Sequence, residues 1–485
     1  MRLSKLVKSL QDVEIVYDGD YEREITSLSC DSKTAEQSSL FFCLTGKGAD
    51  GHAYASEAIK RGAVAIVVER RLPLNVVQLI VKDTREVMSL LSCAFYGYPA
   101  RDMKLIGITG TNGKTTTAYM LGQILQKAGK RVGVIGTLGA FYGDKHLPSD
   151  MTTPDPICLQ RTLAQMREDA IEYVCMEVSA HALYYKKVAG ISFSACIFTN
   201  LTQDHLDFFA DMVEYGDAKK TLFSLKNCTV AILNSDDKFS KQILEVRGEE
   251  KNIFYGLKTE NQVRAERISC GLFENTFYLN IGADVRKITL TMAGEHNVYN
   301  ALAASACAYA LGVSIHKIAL ALCEIKGVNG RLEWVGQKNG AEIFVDFAHT
   351  PDGLKKTLLS LRSHCKGRLV CVFGCGGNRD KSKRAIMGET VANYADFSVL
   401  TADNPRYEDP LDILAEIAKG YRRVSRAYVV VPSREDAILY AMDSLKAGDI
   451  LLVAGKGGEE YQEIMGIKHP FKDNDIIKKR IKENP

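Results

Sequence analysis

No two of the thirteen cysteines in this 485-residue chain stand as a Cys-x-x-Cys pair. That removes the spacing of a zinc or dithiol redox site. Several cysteines instead sit in strand-like apolar runs, Cys175 in "YVCMEV" and Cys371 in "LVCVFG", where a buried reduced thiol is the natural reading. No uninterrupted apolar run reaches the ~18–20 residues that a membrane span needs. The opening stretch "MRLSKLVKSLQDVEIVYDGD" lacks a secretory apolar core and cleavage site, so a cytoplasmic setting is expected. Charge of either sign is not in excess: 62 Lys and Arg against 59 Asp and Glu leave +3. No global field therefore points to nucleic acid or an acidic membrane. Internal repeats and low-complexity segments are also missing.

What is present is ordinary globular material, 46% hydrophobic and 25% charged, long enough for about three domains at ~150 residues each. Residues 1–100 mix short strands and helices, as in "SLFFCLTG" (39–46) and "AVAIVVE" (63–69). The pattern changes near Tyr98-Pro99. Over 101–330, "KLIGIT", "RVGVIG", "YVCMEV", "ACIFTN" and "TVAILN" alternate with helical spacing, which predicts a mainly parallel sheet covered on both faces. "TFYLNI" and "KITLTM" read as an added antiparallel hairpin. Over 331–485, "EIFVDFA", "RLVCVFG", "FSVLTA", "AYVVV" and "DILLVAG" predict a second α/β sheet, doubly wound and Rossmann-like, whose ligands bind beyond the carboxyl ends of the strands. "GCGGNRDKSKR", "ADNPR" and "AGKGGEE" all begin at such ends.

"GITGTNGKTTT" (107–117) lies between a predicted strand and a predicted helix. Gly110 and Gly113 let the backbone of Thr111 and Asn112 curl so that N–H groups point at phosphates. Lys114 reaches terminal phosphate oxygens, and the hydroxyl of Thr115, next to Thr116, can ligate magnesium. The strict phosphate-loop pattern wants glycine at 108, where this chain has Ile108. The Gly-Lys-Thr core in strand–loop–helix context survives that departure, and ATP binding is expected.

Other candidates follow from position. Glu177 ends an apolar run near the loop, an unusual place for a purely surface carboxylate. Lys219 shares a helical face with Tyr215, Leu222 and Phe223 by i, i+4 spacing, so burial should lower its pKa. A snorkelling lysine is the alternative, with Lys220 the ordinary solvated neighbour. "ADNPRYED" (402–409) has the chemistry of a simple turn, and equally that of an aimed arginine.

"GTNGKTTT", "TNLTQDHLD" (199–207) and "GEHNVYNALAA" (294–304) together resemble the Mur ligase superfamily, relatives of folylpolyglutamate synthetase. "CDSK…SLFFCLTGKGADGH", "MTTPD" and "DNPR" resemble its diaminopimelate-adding, tripeptide-forming members, in the expected order along the whole chain. The resemblance implies a UDP-sugar-binding domain over 1–100, an ATP-binding domain over 101–330 and an amino-acid-binding domain over 331–485. It implies ATP-dependent joining of meso-diaminopimelate to the D-Glu side-chain carboxylate of UDP-N-acetylmuramoyl-L-Ala-D-Glu through an acyl phosphate. That reaction serves peptidoglycan synthesis, and with it cell shape and division, and is expected of a monomer without nucleic-acid partners.

Residue by residue, the resemblance puts Ser32 and the Lys47-Gly48-Ala49 turn near the UDP end. It puts Thr152, Thr153, Ser179 and Lys187 at the muramoyl-dipeptide, where Met151, Tyr185 and a lysine in place of arginine depart from the pattern. Two magnesium ions are implied, with Thr115, Glu177, His205 and a carbon dioxide carbamate on Lys219 as ligands. Asn297 would meet the adenine, although "HN" before a helix also suits an N-cap, and Arg331 and Asp346 would lie at a nucleotide-binding hinge. Arg379, Asp403, Asn404, Pro405, Arg406, Gly455 and Glu459 would hold diaminopimelate, with Gly458 where a histidine is expected. Competing readings are a sister enzyme adding lysine or extending folate, or an ATPase that gates a partner.

Overall fold

The computed structural model describes residues 1–10, 14–16, 22–46, 49–149, 151–224, 227–247 and 251–483. Lys47 and Gly48 lie outside the described residues. The chain forms two compact units, one of residues 1–107, 130–196 and 221–229, the other of 108–129, 197–220 and 230–485.

The first unit opens with a five-stranded sheet ordered Glu14–Val16, Val77–Ile80, Ala63–Val68, Ser39–Phe42, Ser27–Ser29, antiparallel only at its first pair. Side chains alternate across a strand. Leu40 and Phe42 therefore join Leu79, Met88 and Leu91 in one core, while Phe41 and Cys43 join Ala55, Ala58 and Ile66 in another. A sheet buried on both faces reads as the continuous apolar run seen in the sequence. The same unit carries the strands Tyr173–Glu177, Val132–Gly136, Gly139–Tyr142 and Lys145–Leu147 side by side, the first pair parallel. Asp155, accepting from the amides of Ile157 and Cys158, starts the helix Pro156–Glu168.

In the second unit, Gly110 to Gly113 turn the chain into the helix Lys114–Lys127. Strands Cys228–Asn234, Asn252–Gly256 and Val263–Cys270 run parallel. The expected hairpin is Asn275–Ile281 against Asp284–Leu290, and it extends antiparallel from Val263–Cys270. A six-stranded sheet follows, ordered Glu333–Lys338, Ala341–Asp346, Ile450–Ala454, Leu369–Phe373, Phe397–Leu400, Tyr428–Val430. All neighbours but the first pair are parallel. Leu369, Cys371 and Phe373 face one core and Val370 and Val372 the other. The order reverses direction around Ile450–Ala454, so Asp346, Phe373, Leu400 and Ala454 end at one rim, the place where doubly wound sheets bind ligands. Within 331–485 two strand elements were not foreseen: the edge strand Glu333–Lys338, and the hairpin Tyr461–Ile464/Ile467–Pro470, which a bridge joins to Arg406. Among the described residues no helix is long and apolar enough to cross a membrane, and all thirteen cysteines are free thiols.

Candidate functional site

The phosphate-loop candidate is braced by the segment "TNLT". Thr199 Oγ1 donates to the Asn112 carbonyl at 2.7 Å and Asn200 Nδ2 at 3.0 Å. The amides of Thr111 and Asn112 donate to Asn200 O and Oδ1 at 2.8 and 2.9 Å. Thr111 Oγ1 accepts from the Thr202 amide at 3.0 Å. Gly113 has φ of 86°, and a Cβ there would overlap Asn300 Oδ1; at Gly110, with φ of 147°, it would overlap Thr199 Oγ1. Only glycine supplies both the conformation and the space. The loop lies at a helix N-terminus, an anion-binding position, but the Thr111 and Asn112 amides donate to Asn200 rather than pointing outward, contrary to expectation.

Lys114 Nζ donates to the carbonyls of Gly110 and Thr111 at 2.9 and 2.8 Å. Thr115 Oγ1 accepts from Arg331 Nη2 at 2.9 Å, and Thr116 is buried beside it in the same first turn. The Arg331 guanidinium also stacks 4.2 Å from the Phe347 ring centroid. Asp346 is engaged on both oxygens: Oδ2 accepts from the Leu332 amide at 2.7 Å, and Oδ1 from the Ala348 amide and Thr357 Oγ1. Its visible work is to fix the Arg331–Leu332 turn. Asn297 is not an N-cap. Gly294 occupies that position and Asn297 lies inside the helix Glu295–Ala310. There its Nδ2 donates to Ala293 O at 2.8 Å and its Oδ1 accepts from Asn300.

Lys219 is 1% exposed and donates to Gly110 O at 2.9 Å, with Nζ 4.4 Å from the Tyr215 ring centroid. Burial, and then the Lys114 charge, hold its pKa well below the lysine value, against an opposing pull from Asp204. The helix Met212–Lys220 ends one residue later, and Leu222 and Phe223 lie in a following 3-10 turn. Leu222 and Phe223 therefore fall outside the helix on which the shared face was predicted. Lys220 is half-buried and pairs with Asp217 at 2.5 Å.

His205 stands in the left-handed region at φ of 59°. Its Nε2 lies 3.4 Å from Asp204 Oδ2, while Lys383 Nζ reaches Asp204 Oδ1 at 3.1 Å and His349 Nε2 lies 3.8 Å from Oδ2. Burial would raise the Asp204 pKa, but Lys383 and the two imidazoles outweigh it and keep the group ionised. Asp204, His349 and Lys383 were missed by sequence reasoning: Asp204 and Lys383 lie inside quoted motifs, but nothing local shows that segments far apart in the chain bring them together. Among the described residues no three His, Cys, Asp or Glu side chains form a metal cluster.

In the first unit Glu177 is buried, its Oε1 accepting from the Thr137 amide at 2.9 Å. Thr137 Oγ1 lies 3.0 Å from Thr152 Oγ1. Thr153 Oγ1 donates to the Glu177 carbonyl at 3.0 Å and accepts from the Ser179 amide at 3.0 Å. Lys187 Nζ donates to Thr153 O and Met151 Sδ, both at 3.2 Å, and burial lowers its pKa. The Tyr185 ring is covered by the Arg85 guanidinium at 4.1 Å. Glu177, Thr137, Thr152, Thr153, Ser179, Lys187 and Met151 therefore form one connected network. Apart from it, Ser32 Oγ donates to Glu57 at 2.9 Å, and the Ala49 carbonyl accepts from Gly46.

"ADNPR" is a turn with a built interior. Asn404 Oδ1 accepts from the fully buried Lys456 Nζ and the Glu463 amide, both at 2.9 Å. Asn404 Nδ2 donates to Glu459 Oε2 at 3.0 Å. Asp403 packs so closely on Gly455 that a Cβ there would overlap its Oδ2. Burial acts to raise the Asp403 pKa, but Lys456 and Arg434 prevail and keep it low. Arg406, at φ of 53°, pairs with Glu463 at 2.9 Å and donates to Gly377 O at 2.9 Å. Arg379 and Arg406 both pack beside Gly376: a Cβ there would sit 3.0 Å from Arg406 Nη1 and 3.6 Å from Arg379 Cγ. Gly458 packs against Asn329.

Three family models match in succession: Mur ligase family, catalytic domain, over 24–96; Mur ligase middle domain over 108–308; Mur ligase, glutamate ligase domain, over 330–457. The chain is 41% identical, over all of both chains, to the UDP-N-acetylmuramoyl-L-alanyl-D-glutamate–2,6-diaminopimelate ligase of Geobacillus thermodenitrificans. A solved structure of a ligase with that name aligns with a TM-score of 0.67 at 28% identity, covering 96% of this chain and 97% of its own. Folylpolyglutamate synthase of Mycobacterium tuberculosis, solved with ADP and AMPPCP, shares the fold with a TM-score of 0.65 at 18% identity, over 76% of this chain and 92% of its own.

Proposed function

Because this chain belongs to the Mur ligase family, we propose that it joins diaminopimelate to the D-Glu side-chain carboxylate of UDP-N-acetylmuramoyl-L-Ala-D-Glu at the expense of ATP. The observation that carries the substrate choice is the pair Arg379 and Arg406, which both pack beside Gly376, together with the Asn404–Glu459 bond. A second carboxylate at the far end of the amino acid is what two guanidiniums can take up, and lysine has none.

The three family segments stand for three domains: the first for UDP, the second for ATP, the third for the amino acid. Ser32, Ala49, Thr152, Thr153, Ser179 and Lys187 hold the UDP-muramoyl-dipeptide. The loop 110–116 holds the ATP phosphates, and Asn297 and Arg331 serve the nucleotide. The substrate carboxylate attacks the terminal phosphorus of ATP, ADP departs, and an acyl phosphate remains. The free amine of diaminopimelate then attacks the acyl carbon, phosphate leaves with the bonding pair, and the nitrogen loses a proton. Magnesium, once bound, neutralises phosphoryl charge. Thr115, Glu177 and His205 are hard-donor or imidazole groups suited to it, though a magnesium ion keeps most of its shell for phosphate and water. Lys219, buried and with a lowered pKa, is the amine suited to a carbamate, which would turn a cation beside the loop into an oxygen ligand. Loss of that cation also removes repulsion with Lys114. A cytoplasmic setting belongs to the same reading.

Phosphate release checks the reading. It should require ATP, the muramoyl-dipeptide and diaminopimelate together. Release at full rate with ATP alone would favour the gating ATPase.

A further inference from the structure

The loop 376–379 and the turn 403–408 leave neighbouring parallel strands, Leu369–Phe373 and Phe397–Leu400. Each carries one of the two guanidiniums of the amino-acid site, and like charges push such loops apart. Burial, and next the Arg406 charge, lower the Arg379 pKa. Arg406 is itself paired with Glu463 and bonded to Gly377 O, and the Gly377 amide donates to Asn404 O, so the two loops already meet and their spacing depends on what fixes them.

We propose that Arg384 and Glu408 are positioning residues that clasp these two loops and so set the Arg379–Arg406 spacing. The proposal rests on the diaminopimelate reading above. Arg384, with no exposed surface, stands in the first turn of the helix Ser382–Tyr394. Its Nη1 and Nη2 donate to Glu408 Oε2 and Oε1, each at 3.0 Å, a two-pronged pair that fixes orientation as well as distance. Its Nη2 also reaches Gly376 O at 3.4 Å. Glu408 Oε1 accepts from the Asn378 amide, and Lys381 approaches Oε2 at 3.2 Å. A second tie runs beside it: Asn378 Oδ1 accepts from the Tyr407 amide at 3.0 Å. Asn378 itself is left-handed, with φ of 52°. The backbones touch, since a Cβ on Gly377 would overlap Pro405 O. The other partner of Arg384 is Glu416, at 3.0 Å on the helix Pro410–Tyr421. It bonds neither loop and serves as a control.

The test uses the full chain, with steady-state kinetics on ATP, the muramoyl-dipeptide, diaminopimelate and lysine. Glu408→Gln keeps shape but breaks the ion pair. It should raise the KM for diaminopimelate about tenfold, equivalent to about 1.4 kcal/mol, and lower the preference for diaminopimelate over lysine. The KM values for ATP and dipeptide should stay at wild type. Glu408→Asp should recover part of the loss, and Glu416→Gln should match wild type. Asn378→Gly, which keeps the left-handed backbone, should move the same KM in the same direction by less, and decides the matter if Glu408→Gln does not fold. A wild-type KM for diaminopimelate in Glu408→Gln, or in Asn378→Gly where only that variant folds, overturns the clasp. So does a loss spread equally over all substrates. A wild-type enzyme that is not selective for diaminopimelate sinks the substrate reading first, and the clasp with it.

Discussion

Lys114 and Lys219 both donate to the Gly110 carbonyl, yet their surroundings set them different tasks. Lys114 starts a helix beside a curled loop and can release its carbonyls to meet a phosphate. Lys114→Ala should therefore cut ligation by about a hundredfold or more, as loss of a charge contact in the transition state does, with an unchanged circular-dichroism spectrum. Lys219 is buried and electrically opposed by Lys114. Lys219→Ala should be nearly inactive, and short carboxylates should restore part of the rate. Carbon-13 NMR of active, magnesium-loaded protein in labelled bicarbonate should show a carbamate; a bare ammonium there contradicts the assignment. Glu408 gives a pH prediction. The Arg384 bond, against a smaller opposing burial effect, lowers its pKa from the glutamate value of 4.5 to about 2. A depressed carboxylate pKa stabilises the fold above the unfolded value and loses that contribution as pH falls through the folded one. The stability gap between wild type and Glu408→Gln in urea unfolding should thus be constant above about pH 5 and shrink between about 4.5 and 2.

Elements decide what was legible beforehand. Strands buried on both faces, such as "LVCVF" and "ILLVA", announce themselves as apolar runs, and all five strands expected in the last block formed. The edge strand Glu333–Lys338 and the hairpin around Ile464 did not show, because edge strands mix polar and apolar residues without a long run. The loop "GTNGKTTT" was legible through its glycines, but its bracing by Thr199, Asn200 and Asn300 joins residues far apart in sequence. Likewise "ADNPR" could be read as an aimed arginine, while Lys456 beneath Asn404 could not. Gly113→Ala tests the bracing. It places a methyl against Asn300 Oδ1 and forces an L-residue to φ of 86°, a backbone cost of about 1–2 kcal/mol. Nucleotide affinity by calorimetry should fall. Adding Asn300→Ala should recover only the steric part, so the double-mutant cycle should show coupling between the two sites.

At the scale of the whole molecule, the proposed reaction brings one carboxylate to a nucleotide and an amine assigned to different domains. Closure about a hinge near Arg331 is therefore expected when ligands bind, since such enzymes exclude water by moving whole bodies. The radius of gyration from solution scattering should fall with ATP analogue, dipeptide and diaminopimelate together; identical empty and liganded curves would count against it. In the proposed reading Arg406 ties the chemistry to the choice of substrate. Arg406→Lys keeps a charge but loses the two-pronged donor, so it should weaken diaminopimelate use by a few kcal/mol while sparing ATP binding by calorimetry. The central claim, that this ligase selects an amino acid by its second carboxylate, is tested most directly by kcat/KM for diaminopimelate and for lysine on wild-type enzyme, side by side with the same muramoyl-dipeptide. The account predicts a ratio of at least about a hundredfold for diaminopimelate, because lysine brings no second carboxylate to Arg379 and Arg406. Equal values for the two amino acids would contradict it.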